Sequence, residues 1–102
     1  MTETQHTIAA WGEETFGPVA SASVLVERAR LEFDELADAV RENDDAAVAQ
    51  EIADILILLY RVATLHNAEV DQAVQAKMKV NRARTWVRNG DGTGRHVKQV
   101  TS

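Results

Sequence analysis

The sequence predicts an all-α fold: a helical hairpin bundle completed by oligomerisation, with a short C-terminal hairpin or extended arm. Three observations carry this. Apolar residues recur at helical spacing from about Ser21 to Thr85, with breaks only near Asn43-Asp44 and Asn67. The segment Ile52 to Leu65 is apolar on nearly every side, which suggests burial against a second subunit in a chain of 102 residues. Glycines gather late, in Asn89-Gly90-Asp91-Gly92-Thr93-Gly94, a turn cluster between Trp86-Val87 and His96-Val97.

The elements follow in order. Thr7 to Phe16 is a short amphipathic piece, ended by the breaker Gly17-Pro18. A serine at 21 or 23 can cap a helix running to about Glu42 and stopping at Asn43-Asp44. Asp44 or Asp45 can cap a second long helix through about His66. Asn67 or a neighbour can open a third, which continues to about Thr85. This is one domain over residues 1–102, with a core of about 7–86 and a tail of 87–102. The surplus apolar surface predicts a homodimer or homotetramer.

Composition narrows the function classes. The chain has no cysteine, so neither a disulfide nor a zinc thiolate is available. Met1 to Thr7 is polar and does not resemble a secretion signal. The apolar run from Ile52 is interrupted by Asp54, Arg61 and Thr64 and is too short to span a bilayer. A cytoplasmic protein without membrane contact is expected. A net charge of −5 argues against a nucleic-acid polymer as partner. Residues 1–72 hold four arginines against fifteen Asp or Glu, and residues 73–102 hold seven Lys or Arg against Asp91 alone. An acidic front and a basic back could hold cations and phosphates between them. The bland alternative is that the basic end satisfies helix carbonyls or pairs with the acidic end.

Four carboxylates break the amphipathic pattern. On the helix from Ser23 to Glu42, the solvent face already carries Glu27, Arg30, Asp34, Asp38 and Arg41, whereas Glu32 and Glu35 fall among apolar residues on the inward face. On the next helix Glu51 and Asp54 share a face beside Ile55, Leu58 and Val62. Unpaired carboxylates taken from water cost several kcal/mol, by order of magnitude, and converging ones repel. Spacing of three residues lets each pair grip from one face, and a helical hairpin brings two such faces together. Hard divalent cations prefer oxygen donors, so Glu32, Glu35, Glu51 and Asp54 read as ligands for Mg²⁺, with Mn²⁺ as the substitute. The competing account is a buried ion-pair network in which Arg28 and Arg61 neutralise the acids.

Lys77, Asn81 and Arg84 stand at i, i+4 and i+7 on the third helix and offer a point charge, an amide and a guanidinium fork suited to phosphates. Basic residues near a helix C-terminus also simply favour its dipole. The glycine cluster lacks the Gly-Lys-Ser/Thr ending of a P-loop and opens no helix, so it reads as a turn. Trp11 or Trp86 offers a stacking surface for a base, or packs against the bundle.

Leu31-Glu32-Phe33-Asp34-Glu35, then Glu51-Ile52-Ala53-Asp54, then Lys77-Met78-Lys79-Val80-Asn81-Arg82-Ala83-Arg84 together resemble the MazG-like nucleotide pyrophosphohydrolases, within the all-α NTP pyrophosphatase group. Trp11…Phe16-Gly17-Pro18 and Asn81-Arg82-Ala83-Arg84-Thr85-Trp86 further resemble a phage and bacterial branch described as dATP/dGTP pyrophosphohydrolases. The resemblance spans roughly Trp11 to Trp86. It implies Mg²⁺-dependent hydrolysis of nucleoside triphosphates, purine dNTPs among them, between the α and β phosphates. The products would be a nucleoside monophosphate and pyrophosphate. It further implies Glu32, Glu35, Glu51 and Asp54 as catalytic metal ligands and Lys77, Asn81 and Arg84 as substrate-binding residues. The family's opening motif begins with a glutamate pair, and its first member is Leu31 here, which leaves the general base open. The rival readings are a phosphoribosyl-ATP pyrophosphohydrolase and a non-catalytic acidic helical interaction module.

Overall fold

Capping chemistry decides where each helix begins and ends. The structure, a computed structural model, describes residues 2–98. Helix α1 (Gln5–Phe16) opens on a reciprocal capping box: Thr4 Oγ1 accepts from the Thr7 amide at 3.2 Å, and Thr7 Oγ1 accepts from the Thr4 amide at 2.8 Å. It ends at Gly17, whose φ of 80° and ψ of 173° suit glycine alone. Helix α2 (Ala22–Arg41) has Ser21 at its N-cap position, but the serine side chain caps no amide and instead meets Ser23 Oγ at 2.6 Å.

Two asparagines perform the turns. Asn43 has φ 53°; its amide donates to Val40 O at 3.1 Å and the Asp44 amide to Ala39 O at 3.1 Å, a left-handed helix stop that satisfies the last carbonyls of α2. Asp44 then caps α3 (Asp45–Leu65) by accepting from the Ala47 amide at 3.1 Å. The same device recurs at Asn67, φ 55°, where the Asn67 and Ala68 amides donate to Thr64 O and Ala63 O. Asn67 therefore closes α3 rather than opening the next helix, and α4 (Val70–Ala83) starts three residues later.

The first of two compact units, Met1–Val70, is the α2–α3 hairpin with α1 laid against α3. Among the described residues its buried apolar core is Leu25, Ala29, Ala39 and Ile55. Gln5 links three parts of this unit: its amide nitrogen donates to Thr64 Oγ1 at 3.1 Å and Ala68 O at 2.7 Å, and its oxygen accepts from the Val70 amide at 2.8 Å. One side chain thereby fixes the start of α1 to the end of α3 and supplies a missing partner to the first turn of α4.

The second unit, Asp71–Ser102, contains the rest of α4 and the expected hairpin. Strands β1 (Trp86–Arg88) and β2 (Gly94–His96) pair antiparallel, with Trp86 opposite His96 and Arg88 opposite Gly94. Asp91 accepts from both the amide and hydroxyl of Thr93 at 3.0 and 2.5 Å, which holds its carboxyl below the ordinary aspartate range. Residues 99–102 of the expected tail lie outside the described residues.

Replacing Gln5 by alanine removes three hydrogen bonds and leaves a carbonyl and an amide to find water. The expected loss is about 1–3 kcal/mol, read from the urea midpoint with an unchanged slope. An unaltered midpoint would show that water replaces these bonds without cost.

Candidate functional site

The i, i+3 spacing on two antiparallel helices has the consequence expected of it. One carboxylate oxygen each from Glu32, Glu35 and Glu51 lies within 4.8 Å of the others, so the group can hold a cation. Glu32 and Glu51 are half-buried and Glu35 is exposed. Asp54 stands beside this group rather than in it, and is also exposed. Asp54 is wetter than the apolar run around it suggests, since Ile52, Leu56 and Leu59 of that run are themselves exposed.

No arginine neutralises the cluster. The ion pairs among the described residues are His6–Glu69, Arg30–Glu27 and Arg41–Asp38, none of which involves the four acids. Glu51 Oε2 is buried with no hydrogen-bond partner. A buried carboxylate oxygen without a donor is costly, and a cation is the partner its chemistry requires. The residues present therefore fit a divalent metal, and the ion-pair account of the acids does not match the geometry.

Electrostatics report the crowding. The Glu35 carboxyl is raised above its ordinary 4.5, first through hydrogen bonding with Glu32 and then through the Glu32 charge. Partial desolvation and the Asp54 charge act the same way, while Glu51 opposes them.

Next to the acids runs a groove of about 540 Å³, whose wall includes Glu32, Asp54, Arg28, Arg61, Trp11 and Phe16. The two aromatic rings meet edge to face at 5.5 Å, and Arg61 Cζ lies 5.8 Å from the Phe16 ring centre. Arg61 is the buried charged residue of the described chain, at 9% exposure, and it crosses over Gly12 of α1. In the sequence Arg61 reads as an interruption of the apolar run and as a neutraliser of the acids, and Gly12 carries no assignment. A signal was present: a glycine inside a helix costs roughly 1 kcal/mol against alanine, so its occurrence there asks for a close neighbour.

In the second unit, Lys77 is exposed on α4 and Asn81 is half-buried, its amide oxygen buried and unpartnered. The Asn81 carbonyl accepts from Trp86 Nε1 at 2.8 Å, so this tryptophan is tied to the end of α4. Arg84 falls just past the helix, which stops at Ala83 rather than near Thr85.

Comparison with known proteins agrees with this architecture. The family model of the MazG nucleotide pyrophosphohydrolase domain matches residues 20–85. A dATP/dGTP diphosphohydrolase of Cyanophage S-2L is 35% identical over 97 residues, covering 95% of this chain and 88% of that protein. A dATP/dGTP diphosphohydrolase of Salmonella phage PMBT28 is 34% identical over 97 residues, which make up 31% of its length. The solved structure of the Cyanophage S-2L MazG-like pyrophosphohydrolase bound to dGDP and three catalytic Mn²⁺ ions per active site superposes with a TM-score of 0.78. It is 34% identical, and the match covers 94% of this chain and 91% of that one.

The raised Glu35 carboxyl has a defined consequence for stability. Between the ordinary glutamate value and the raised one, the folded chain binds more protons than the unfolded chain, so this group's contribution falls as pH rises. In chelator, Glu35→Gln is expected to melt higher than the parent at pH 7, with the gain vanishing on acidification as the parent's Glu35 protonates. A gain independent of pH would refute this origin.

The carboxylate geometry, the helical hairpin that creates it and the matches in sequence and structure converge: this chain belongs to the MazG nucleotide pyrophosphohydrolase family.

Proposed function

We propose that the chain hydrolyses nucleoside triphosphates, purine dNTPs in particular, at the α–β phosphate bond to give a nucleoside monophosphate and pyrophosphate. The observation that carries this is the convergence of Glu32, Glu35 and Glu51, one oxygen of Glu51 being buried and unpartnered, beside a groove whose wall includes Glu32 and Asp54. Relatives named for dATP and dGTP support the choice of purine deoxynucleotides.

Glu32, Glu35, Glu51 and Asp54 are the residues that would hold Mg²⁺, or Mn²⁺ in its place. Such an ion supplies charge neutralisation at the phosphates and activation of water. On their own the carboxylates repel the triphosphate, so they would fix its place only through the ion they hold. Lys77 and Arg84 bind phosphate oxygens as a point charge and a fork, and the Asn81 amide contributes a neutral contact. Leu31 offers no proton acceptor, so water activation does not draw on a residue at that position. We further place the activity in a cytoplasmic homodimer or homotetramer acting as one domain type. Exposed Phe33 and Val40 on one side of α2 and Ile52, Leu56 and Leu59 on α3 are apolar residues that a second copy would cover.

A panel of natural NTPs and dNTPs with Mg²⁺, resolved by phosphorus NMR, is expected to yield monophosphate and pyrophosphate. Diphosphate with orthophosphate would reject the bond assignment. Glu51→Ala and Asp54→Ala are each expected to lower kcat by at least about a thousandfold, the scale of losing metal-supplied stabilisation, while the far-UV spectrum stays helical. Both variants should also lose the rise in melting temperature that Mg²⁺ gives the parent. Full activity in both would remove these residues from the site.

A further inference from the structure

The groove has a polarity that the proposed reaction leaves unused. On α2, Arg28 precedes Glu32 by one turn, and on α3, Asp54 precedes Arg61 by two. Because the two helices form an antiparallel hairpin, both arginines lie toward one end of the groove and both acids toward the other. Seven residues of helix separate Asp54 from Arg61 by about 10 Å along the axis. The groove is thus acidic where a cation and phosphates belong and cationic about one nucleoside's length away.

Arg61 is placed to take a ligand. It is 9% exposed, and among the described residues its guanidinium has no carboxylate in ion-pair range and no hydrogen bond. Its nitrogens are not among the buried atoms that lack a partner, so the fork still reaches the groove and can donate to a ligand with acceptor atoms. Its position depends on the room that Gly12 leaves. A Cβ at Gly12 would stand 2.7 Å from Arg61 Cζ and 2.8 Å from Cδ, so only glycine in α1 lets the side chain lie there. Trp11 and Phe16 beside it are half or more exposed, leaving ring surface for a flat apolar ligand.

We propose that this end of the groove receives the base of the bound nucleotide and that Arg61 donates to N7 of a purine, making it the residue that selects purines over pyrimidines. N7 is an acceptor in both adenine and guanine, guanine adds O6, and pyrimidines present no equivalent ring nitrogen. The inference rests on the triphosphate reading above and adds the class of base and the residue that reads it.

Substrates altered at one atom test this without depending on how variants fold. The parent protein with Mg²⁺ is assayed on dATP and dGTP and on their 7-deaza analogues, in which N7 is a carbon. The analogues are expected to lose about 10- to 100-fold in kcat/KM, chiefly through KM. Quenching of tryptophan fluorescence by dGMP and 7-deaza-dGMP gives the same comparison without turnover. Arg61→Met should no longer distinguish the analogues from their parents and should leave dCTP and dTTP within a few-fold. Gly12→Ala keeps the charge but displaces it, and should reproduce that loss of discrimination. Equal handling of dGTP and 7-deaza-dGTP by the parent protein overturns the inference alone. An equal fall for purines and pyrimidines in Arg61→Met also overturns it, by making Arg61 a phosphate anchor. Absence of turnover with every triphosphate rejects the proposed function, and this inference with it.

Discussion

Holding like charges together is the constraint on which the rest of this structure depends. Glu32, Glu35 and Glu51 approach one another within 4.8 Å without an arginine among them, and one of their oxygens is buried with no donor. Such an arrangement opposes folding unless a cation joins it. It exists because two helices that each carry acids at i, i+3 are pressed into a hairpin by apolar contacts the acids do not share, with Leu25, Ala29, Ala39 and Ile55 at the centre. The hairpin in turn needs a turn of fixed geometry. Asn43 provides it, since asparagine enters the left-handed region more readily than other residues with a side chain.

The same logic, an unfavourable group held by favourable neighbours, explains α1. Arg61 is pinned between the Phe16 ring and the bare backbone of Gly12, which gives the short first helix a specific contact to pack on. Gln5 fixes the other end of α1 with three hydrogen bonds. The short helix is thus anchored at both ends by polar groups, and Trp11 and Phe16 are left half-open on the groove rather than sunk in a core.

Most of the fold was legible because its signals are local. The breaks at Gly17-Pro18, Asn43 and Asn67, the cap at Asp44 and the hairpin around Asn89 to Thr93 all follow from short-range backbone chemistry. Residue type alone does not fix a side chain's partner: Ser21 takes the expected N-cap position yet its hydroxyl turns to Ser23, and the break at Asn67 closes α3 while the next helix opens at Val70. In the site, the acid pairs stood out because they interrupt a helical pattern, and three of the four converge as the spacing implies. The Gly12–Arg61 contact did not stand out, since it joins residues far apart in sequence and neither follows from a periodicity.

Helix α3 shows why so small a chain can combine these demands. One face carries Glu51, Asp54 and Arg61 into the cluster and groove, and another leaves Ile52, Leu56 and Leu59 exposed. A helix that is polar at its working face and apolar elsewhere cannot be satisfied by a core of four buried apolar residues. Under the proposed assembly, a second copy would cover the apolar face and hold α3 rigid from behind. The carboxylates would then keep their spacing against mutual repulsion before any cation arrives. Association would in that case supply the stiffness that charge repulsion removes, and the site and the interface become two sides of one helix.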